Sequence, residues 1–149
     1  VIQQIGSSRE IAENPHTKFV AEFIGNNNSF SGVVKSRSGS MVFVEAGDQI
    51  FYVRIPEYVR QVRVGHEAHF SVRADLMHSG KQDGMANSVD GKFVTTEFMG
   101  SLETDVFEVG DGLLVQVEQH RKVSDRLYKM GESETISWAA QSGVLLKQT

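Results

Sequence analysis

The chain repeats itself, and the repeat limits what it can fold into. Asn-Ser-Phe-Ser-Gly at residues 28–32 returns as Asn-Ser-Val-Asp-Gly at 87–91, and Gly47-Asp48 returns as Gly110-Asp111. The stretch from Gly65 to Val72 returns as the stretch from Gly131 to Trp138. The second copy trails the first by 59, then 63, then 66 residues. That is how an offset grows when loops gain residues while strands stay in step. Between these landmarks the apolar period is two. Met41 to Val44 and Ile50 to Ile55 are β-branched and aromatic, with Ala-Gly-Asp-Gln at 46–49 as the hairpin turn between them. Ala68, Phe70 and Val72 alternate with His69, Ser71 and Arg73, as on a half-buried strand. Strands are expected in the second half at residues 93–98, 104–109, 113–119, 135–140 and 144–147. The polar, glycine-rich residues 78–84 read as a loop or linker. Each half, about 28–80 and 87–147, then holds about five short strands, the pattern of a small closed or half-closed β-barrel.

Ahead of the repeat the pattern is helical. Ser7 and Glu10 have the spacing of a capping box, and a short helix from there ends near Asn14 because the residue before Pro15 is pushed out of helical dihedrals. A second helix begins at His16 or Thr17. Phe19/Phe23 and Val20/Ile24 are i, i+4 pairs forming one apolar face, Gly25 is a stop, and the asparagines at 26–28 suit a turn or linker. This segment has little core of its own, so it is expected to pack on material outside the sequence. With Val1 in place of an initiator Met, it reads as the cut end of a longer chain.

With 40% hydrophobic and 23% charged residues in 149, the chain can bury a core. It has no cysteine, which removes disulfides, thiolate metal sites and a cysteine nucleophile. Fifteen basic residues against nineteen acidic ones leave a net charge of −4, which gives no general attraction to nucleic acid or anionic lipid. No apolar run approaches the roughly 20 residues that span a bilayer, and no charged-then-apolar leader is found. Gly80-Lys81 and Gly91-Lys92 lack both the glycine spacing and the following Ser or Thr of a phosphate-cradling loop. ATP hydrolysis by this stretch is therefore not expected. His16, His66, His69, His78 and His120 lack metal-ligand spacing and read as surface residues. Glu97, Glu103, Asp105 and Glu108 could be imagined as acid/base carboxylates, but nothing supplies a nucleophile or a cause for a shifted pKa, so a solvated face is expected. The neighbours of Trp138 alternate small and apolar, which favours a buried or interface position over an exposed stacking platform. Arg54, Arg60, Arg63 and Arg73 give the first half a modest basic bias and read as ordinary strand and loop charges.

Residues 2–11 (Ile-Gln-Gln-Ile-Gly-Ser-Ser-Arg-Glu-Ile), Asn14-Pro15, residues 19–25 (Phe-Val-Ala-Glu-Phe-Ile-Gly), Asn28 and Gly32 resemble the junction in the ATPase subunits of ABC importers for polyamines, ferric iron, sulfate and sugars. There the run closes the nucleotide-binding domain. Ser8 stands where that family usually has a proline. The rest of the chain resembles the family's C-terminal domain of the transport-associated oligonucleotide/oligosaccharide-binding type, carried by residues 28–33, 65–75, 87–91, 97–101 and 131–138. The resemblance implies a mainly β, OB-like (TOBE/MOP-like) barrel of two repeated halves at 28–149, preceded by a short helical tail of the nucleotide-binding domain at 1–27. Phe19, Phe23, Ile24, Gly25, Asn28 and Gly32 mark the junction. It also implies a non-catalytic regulatory and dimerisation domain, with ATP and Mg bound in a domain outside this sequence and no cofactor here. The implied partners are a second ATPase subunit and, through the missing domain, membrane permease subunits. The implied place is the cytoplasmic face of the cell membrane, without insertion into it, and the loops around Glu97 to Asp105 are candidate contacts. A polyamine-like or ferric-iron-like solute is favoured. The first half is also similar to molybdate-binding relatives of the fold, with Val72-Arg73-Ala74 where those carry a basic tripeptide. That alternative makes Arg73 an oxyanion contact, although Ile-Pro-Glu-Tyr at 55–58 replaces their usual Thr and Ser positions. A nucleic-acid-binding OB-fold is the third alternative, and the charge opposes it.

Overall fold

The computed structural model describes residues 26–80, 82–99, 101–110, 112–120 and 127–147. The expected helical segment, with Phe19, Phe23, Ile24 and Gly25, lies outside them. Among the described residues ten strands follow in order: β1 (Asn27–Ser38), β2 (Met41–Ala46), β3 (Gln49–Arg54), β4 (Glu67–Arg73), β5 (His78–Ser79), β6 (Asn87–Met99), β7 (Leu102–Val109), β8 (Leu113–His120), β9 (Ser133–Trp138) and β10 (Gly143–Leu145). Single 3-10 turns at Ala74–Leu76 and Ala140–Ser142 precede β5 and β10. The described residues form two compact units, one from residues 26–73 with 139–147, the other within Ala74–Trp138.

In the first unit the strands close into a barrel in the order β1-β2-β3-β10-β4. The expected hairpin is present: Ala46 pairs with Gln49, and Gly47 between them takes φ 61°, a conformation that favours glycine. Alternation along β1 to β4 sends Phe30, Val42, Val44, Phe51, Val53, Phe70 and Val72 inward. The rings of Phe30 and Phe70 stack at 5.1 Å, and Phe51 meets Phe70 at 5.6 Å, so three aromatics fill the barrel's middle. β1 serves two partners by bending. Residues 27–33 pair with β4, residues 33–38 pair with β2, and a bulge between Val34 and Ser36 makes the turn.

The second unit repeats the plan as a five-stranded sheet in the order β5-β9-β6-β7-β8. β6 pairs with β9 over residues 87–92 and with β7 over 92–99, with its own bulge between Phe93 and Thr95. Its core gathers Phe93, Phe107, Val115, Val117, Ile136 and Trp138, with Tyr128 stacked on Phe93 at 5.4 Å. Trp138 is buried, as its neighbours indicated. The two halves agree bond for bond: Val34 N–H donates to His66 O at 2.9 Å and Gly65 N–H to Val34 O at 2.8 Å, while Phe93 N–H donates to Glu132 O and Gly131 N–H to Phe93 O, both at 2.8 Å.

One element departs from the sequence reading. His78 and Ser79, read as loop, form β5 and pair with Ser137 and Ile136 of β9. In the same register β10 places Val144 opposite Ser71 of β4. Each half of the sequence thus supplies the last strand to the four strands of the other half. β10 also meets β3 in parallel at Arg54, which closes the barrel.

Candidate functional site

Asn28 and Gly32 both lie in β1. Asn28 is buried opposite Val72, as its counterpart Asn87 is buried opposite Trp138. A Cβ on Gly32 would stand 2.5 Å from the Glu45 carbonyl oxygen and 2.7 Å from Val44 Cγ1, so glycine is what lets β1 and β2 approach there. Arg73 ends β4 opposite Asn27 and is half-buried. Of the histidines within the described residues, His69 is hydrogen-bonded to Ser31 at 2.7 Å and paired with Glu67 at 2.8 Å, and His66 sits exposed on a bend. Among the described residues no group of three or more His, Asp or Glu is placed to hold a metal, and no helix is long and apolar enough to cross a membrane.

The acidic group around β7 does not form one solvated face. Glu97 and Glu108 are exposed, Glu103 is half-buried and Asp105 is 0% exposed. Register explains the difference. Thr96 stands opposite Asp105, Phe98 opposite Glu103, and Asp105 opposite Val117, so these side chains share a face with Phe107 and Val115, which point into the core. Thr96 Oγ1 donates to Asp105 Oδ1 at 2.7 Å and Gln119 Nε2 donates to Oδ2 at 3.1 Å. Burial pushes the Asp105 carboxyl above its ordinary value, and the two donated bonds act the other way. The sequence reading saw no cause for a shifted pKa here; burial is that cause.

Beyond Asp105 on the same face the apolar core stops, and Phe98 stands 71% exposed at the end of the β6–β7 hairpin. β8 forms one edge of the sheet and exposes Leu113 and Leu114. The Phe98 end can bury an aromatic anchor against a partner inside a polar rim, whereas Leu113 and Leu114 lie at the other end of β8, opposite Val109 and Glu108. Exposed apolar side chains of this kind offer a surface for contact.

No family model matches the sequence. Among curated proteins, the chain is 29% identical, over 98% of its own length and 42% of the relative's, to the spermidine/putrescine import ATP-binding protein PotA of Treponema pallidum (strain Nichols). It is 28% identical to the PotA protein of Protochlamydia amoebophila (strain UWE25), over 99% of this chain and 41% of that one. The PotA protein of Marinobacter nauticus gives 29% over 93% and 37%. The chain thus spans about two fifths of the length of the curated relatives it matches. Among solved structures, the cytoplasmic molybdate-binding protein ModG, in a molybdate-bound form, superposes with a TM-score of 0.71 over 82% of this chain and 96% of that one. At 19% identity that likeness is one of fold, and it agrees with the OB-like, TOBE/MOP-type barrel seen here. The homologues of this chain are ATP-binding subunits of ABC importers, a C-terminal part of which it matches along nearly its whole length.

Proposed function

We propose that this chain is a non-catalytic regulatory and dimerisation domain of the ATP-binding subunit of an ABC solute importer. The observation that carries the proposal is the match of nearly the whole chain to a C-terminal part of such subunits, in a sequence that holds no phosphate-cradling loop. ATP and Mg would be handled by a nucleotide-binding domain outside this sequence. The relatives' names favour a polyamine as the solute. The subunit would work at the cytoplasmic face of the membrane with permease subunits. Two such domains in contact hold their ATPase cores near one another at an effective concentration on the order of millimolar while the cores open and close.

The exposed Phe98 end of the second unit is the contact assigned to this role. An aromatic anchor at the centre of an interface is worth about 2 kcal/mol or more, roughly 30-fold in affinity. Light scattering across a concentration series is expected to show a reversible dimer for the chain and a monomer for Phe98→Asp over the same range. A chain that stays monomeric at high concentration removes intrinsic dimerisation. A dimer untouched by the substitution removes Phe98 from the contact.

A further inference from the structure

The loop between β3 and β4 shapes a cleft on the first unit, with a cavity of about 490 Å³. That size suits a small ligand. Its floor is apolar: Val34, Ala68, Leu145 and Leu146 line it and are all buried in the barrel wall. Its mouth is basic. Arg60, Arg63 and Lys147 line it and are exposed, and none of the three has an ion pair with a carboxylate among the described residues. The acid on the lining, Glu67, is turned to His69 Nε2 at 2.8 Å. Tyr58 adds a phenol at the rim whose pKa burial pushes up to about 12 against the pull of Arg54, so it keeps its proton and its donor at neutral pH. In a chain of net charge −4, cations gathered at one concave, part-apolar site without an ion pair among the described residues set up a local positive field with low-dielectric walls.

We propose that this cleft binds a small organic phosphate, with the phosphate between the Arg60 and Arg63 guanidinium groups and Lys147 and its apolar body on the Val34–Leu146 floor. Guanidinium forks match the geometry and charge of phosphate oxygens, and the ammonium of Lys147 adds a point charge. The apolar floor is what separates such a ligand from inorganic phosphate, because only the organic part can remove it from water. The cleft is distinct from the end of the barrel where Arg73 stands: Glu67 begins β4 and Arg73 ends it, about 20 Å away along an extended strand. The inference does not rest on the regulatory role proposed above, since it concerns what this chain itself can bind.

Phenyl phosphate is a probe with both required parts. In a titration of the isotope-labelled chain followed by amide NMR, it is expected to shift residues 58–68 and 145–147. The double variant Arg60→Ala/Arg63→Ala is expected to weaken binding by at least about tenfold, the scale of losing charge-assisted bonds. Both arginines lie on an exposed loop outside the barrel ladder, and an unchanged spectrum of β1 to β4 in the variant confirms that the fold is kept. Lys92→Ala, an exposed charge on β6, serves as the control and should bind as the parent does. Inorganic phosphate should bind at least about tenfold more weakly than phenyl phosphate, because it leaves the floor uncovered. The proposal is overturned by an absence of shifts at millimolar probe, by shifts centred elsewhere, by binding that survives loss of both arginines, or by inorganic phosphate binding equally well.

Discussion

Asp105 occupies a place that the other half of the chain fills with a valine. Val42 stands opposite Arg37 and Val53 in the first unit, as Asp105 stands opposite Thr96 and Val117 in the second, and both side chains are 0% exposed. The fold therefore accepts methyl groups at this position, and the carboxylate is carried against a desolvation cost that Thr96 and Gln119 offset in part. Because burial raises its pKa, the folded state holds the proton more tightly than the unfolded chain does. The stability it contributes is full below the ordinary carboxyl value and falls as pH rises from there through the folded pKa. Asp105→Asn, with the Gln119 amide turned to present its oxygen, keeps two hydrogen bonds and removes the charge. Urea unfolding at pH 7 is expected to show a gain on the order of 1 kcal/mol, and little gain at pH 3. A variant destabilised more at pH 7 than at pH 3 would mean that the carboxylate's bonds outweigh its burial. In the sequence this residue was hidden among Glu97, Glu103 and Glu108. The repeat could have singled it out, since the 63-residue offset that joins Gly47 to Gly110 also joins Val42 to Asp105.

At the scale of elements, the two long bent strands organise each unit, and a glycine lies two residues before the bulge in both. The Gly32 position faces a backbone carbonyl oxygen at 2.5 Å, whereas a Cβ on Gly91 would meet Phe107 Cβ at 3.0 Å and the tip of Ile136, Cδ1, at 3.1 Å. Backbone cannot yield without parting β1 from β2, whereas at Gly91 the approach to Phe107 Cβ is half an ångström longer and the isoleucine end beside it can rotate. Gly32→Ala should therefore cost about 2–3 kcal/mol and Gly91→Ala about 1 kcal/mol, within the usual range for overpacking. Chemical denaturation of the two variants checks the order, and equal costs would show that the strand approach at Gly32 relaxes. These strands were legible because their landmarks are residue types that the geometry demands: glycine at the close approach, asparagine at the buried start, glycine at positive φ in the turns. The start of β6 at Asn87, six residues ahead of the strand expected from Phe93, was not, because Ser88, Asp90 and Lys92 point outward and interrupt the apolar run. β5 was not legible at all. Two residues are too few for a period, and their pairing partner lies 59 residues further along the chain.

At the scale of the whole molecule, self-similarity reports which residues correspond and not which copy they pair with. The sequence halves are contiguous, while the compact units are not: the chain passes from one to the other after Arg73 and returns after Trp138. The exchange is unequal in consequence. β10 and the residue after it bring Val144, Leu145 and Leu146 into the first unit, all buried, and β10 joins β3 to β4. The second unit takes β5 with the turn before it, where Ala74 and Met77 are buried, and keeps β8 as a sheet edge. Burying three such side chains contributes about 1.5–3 kcal/mol each, so about 5–9 kcal/mol in all, which is comparable to the roughly 5–15 kcal/mol that keeps a domain folded. A chain ending at Trp138 retains every strand of the second unit and lacks the one that closes the barrel. Hydrogen exchange on that truncated chain should show β1 to β4 losing protection while β6, β7 and β9 keep theirs. Protection lost throughout would mean that the second unit depends on the barrel for its own stability, and protection kept in β1 to β4 would reduce β10 to an accessory strand. The expected split would establish that the last strand of the second repeat is a structural part of the first, so that the first half of the repeat is not a folding unit by itself.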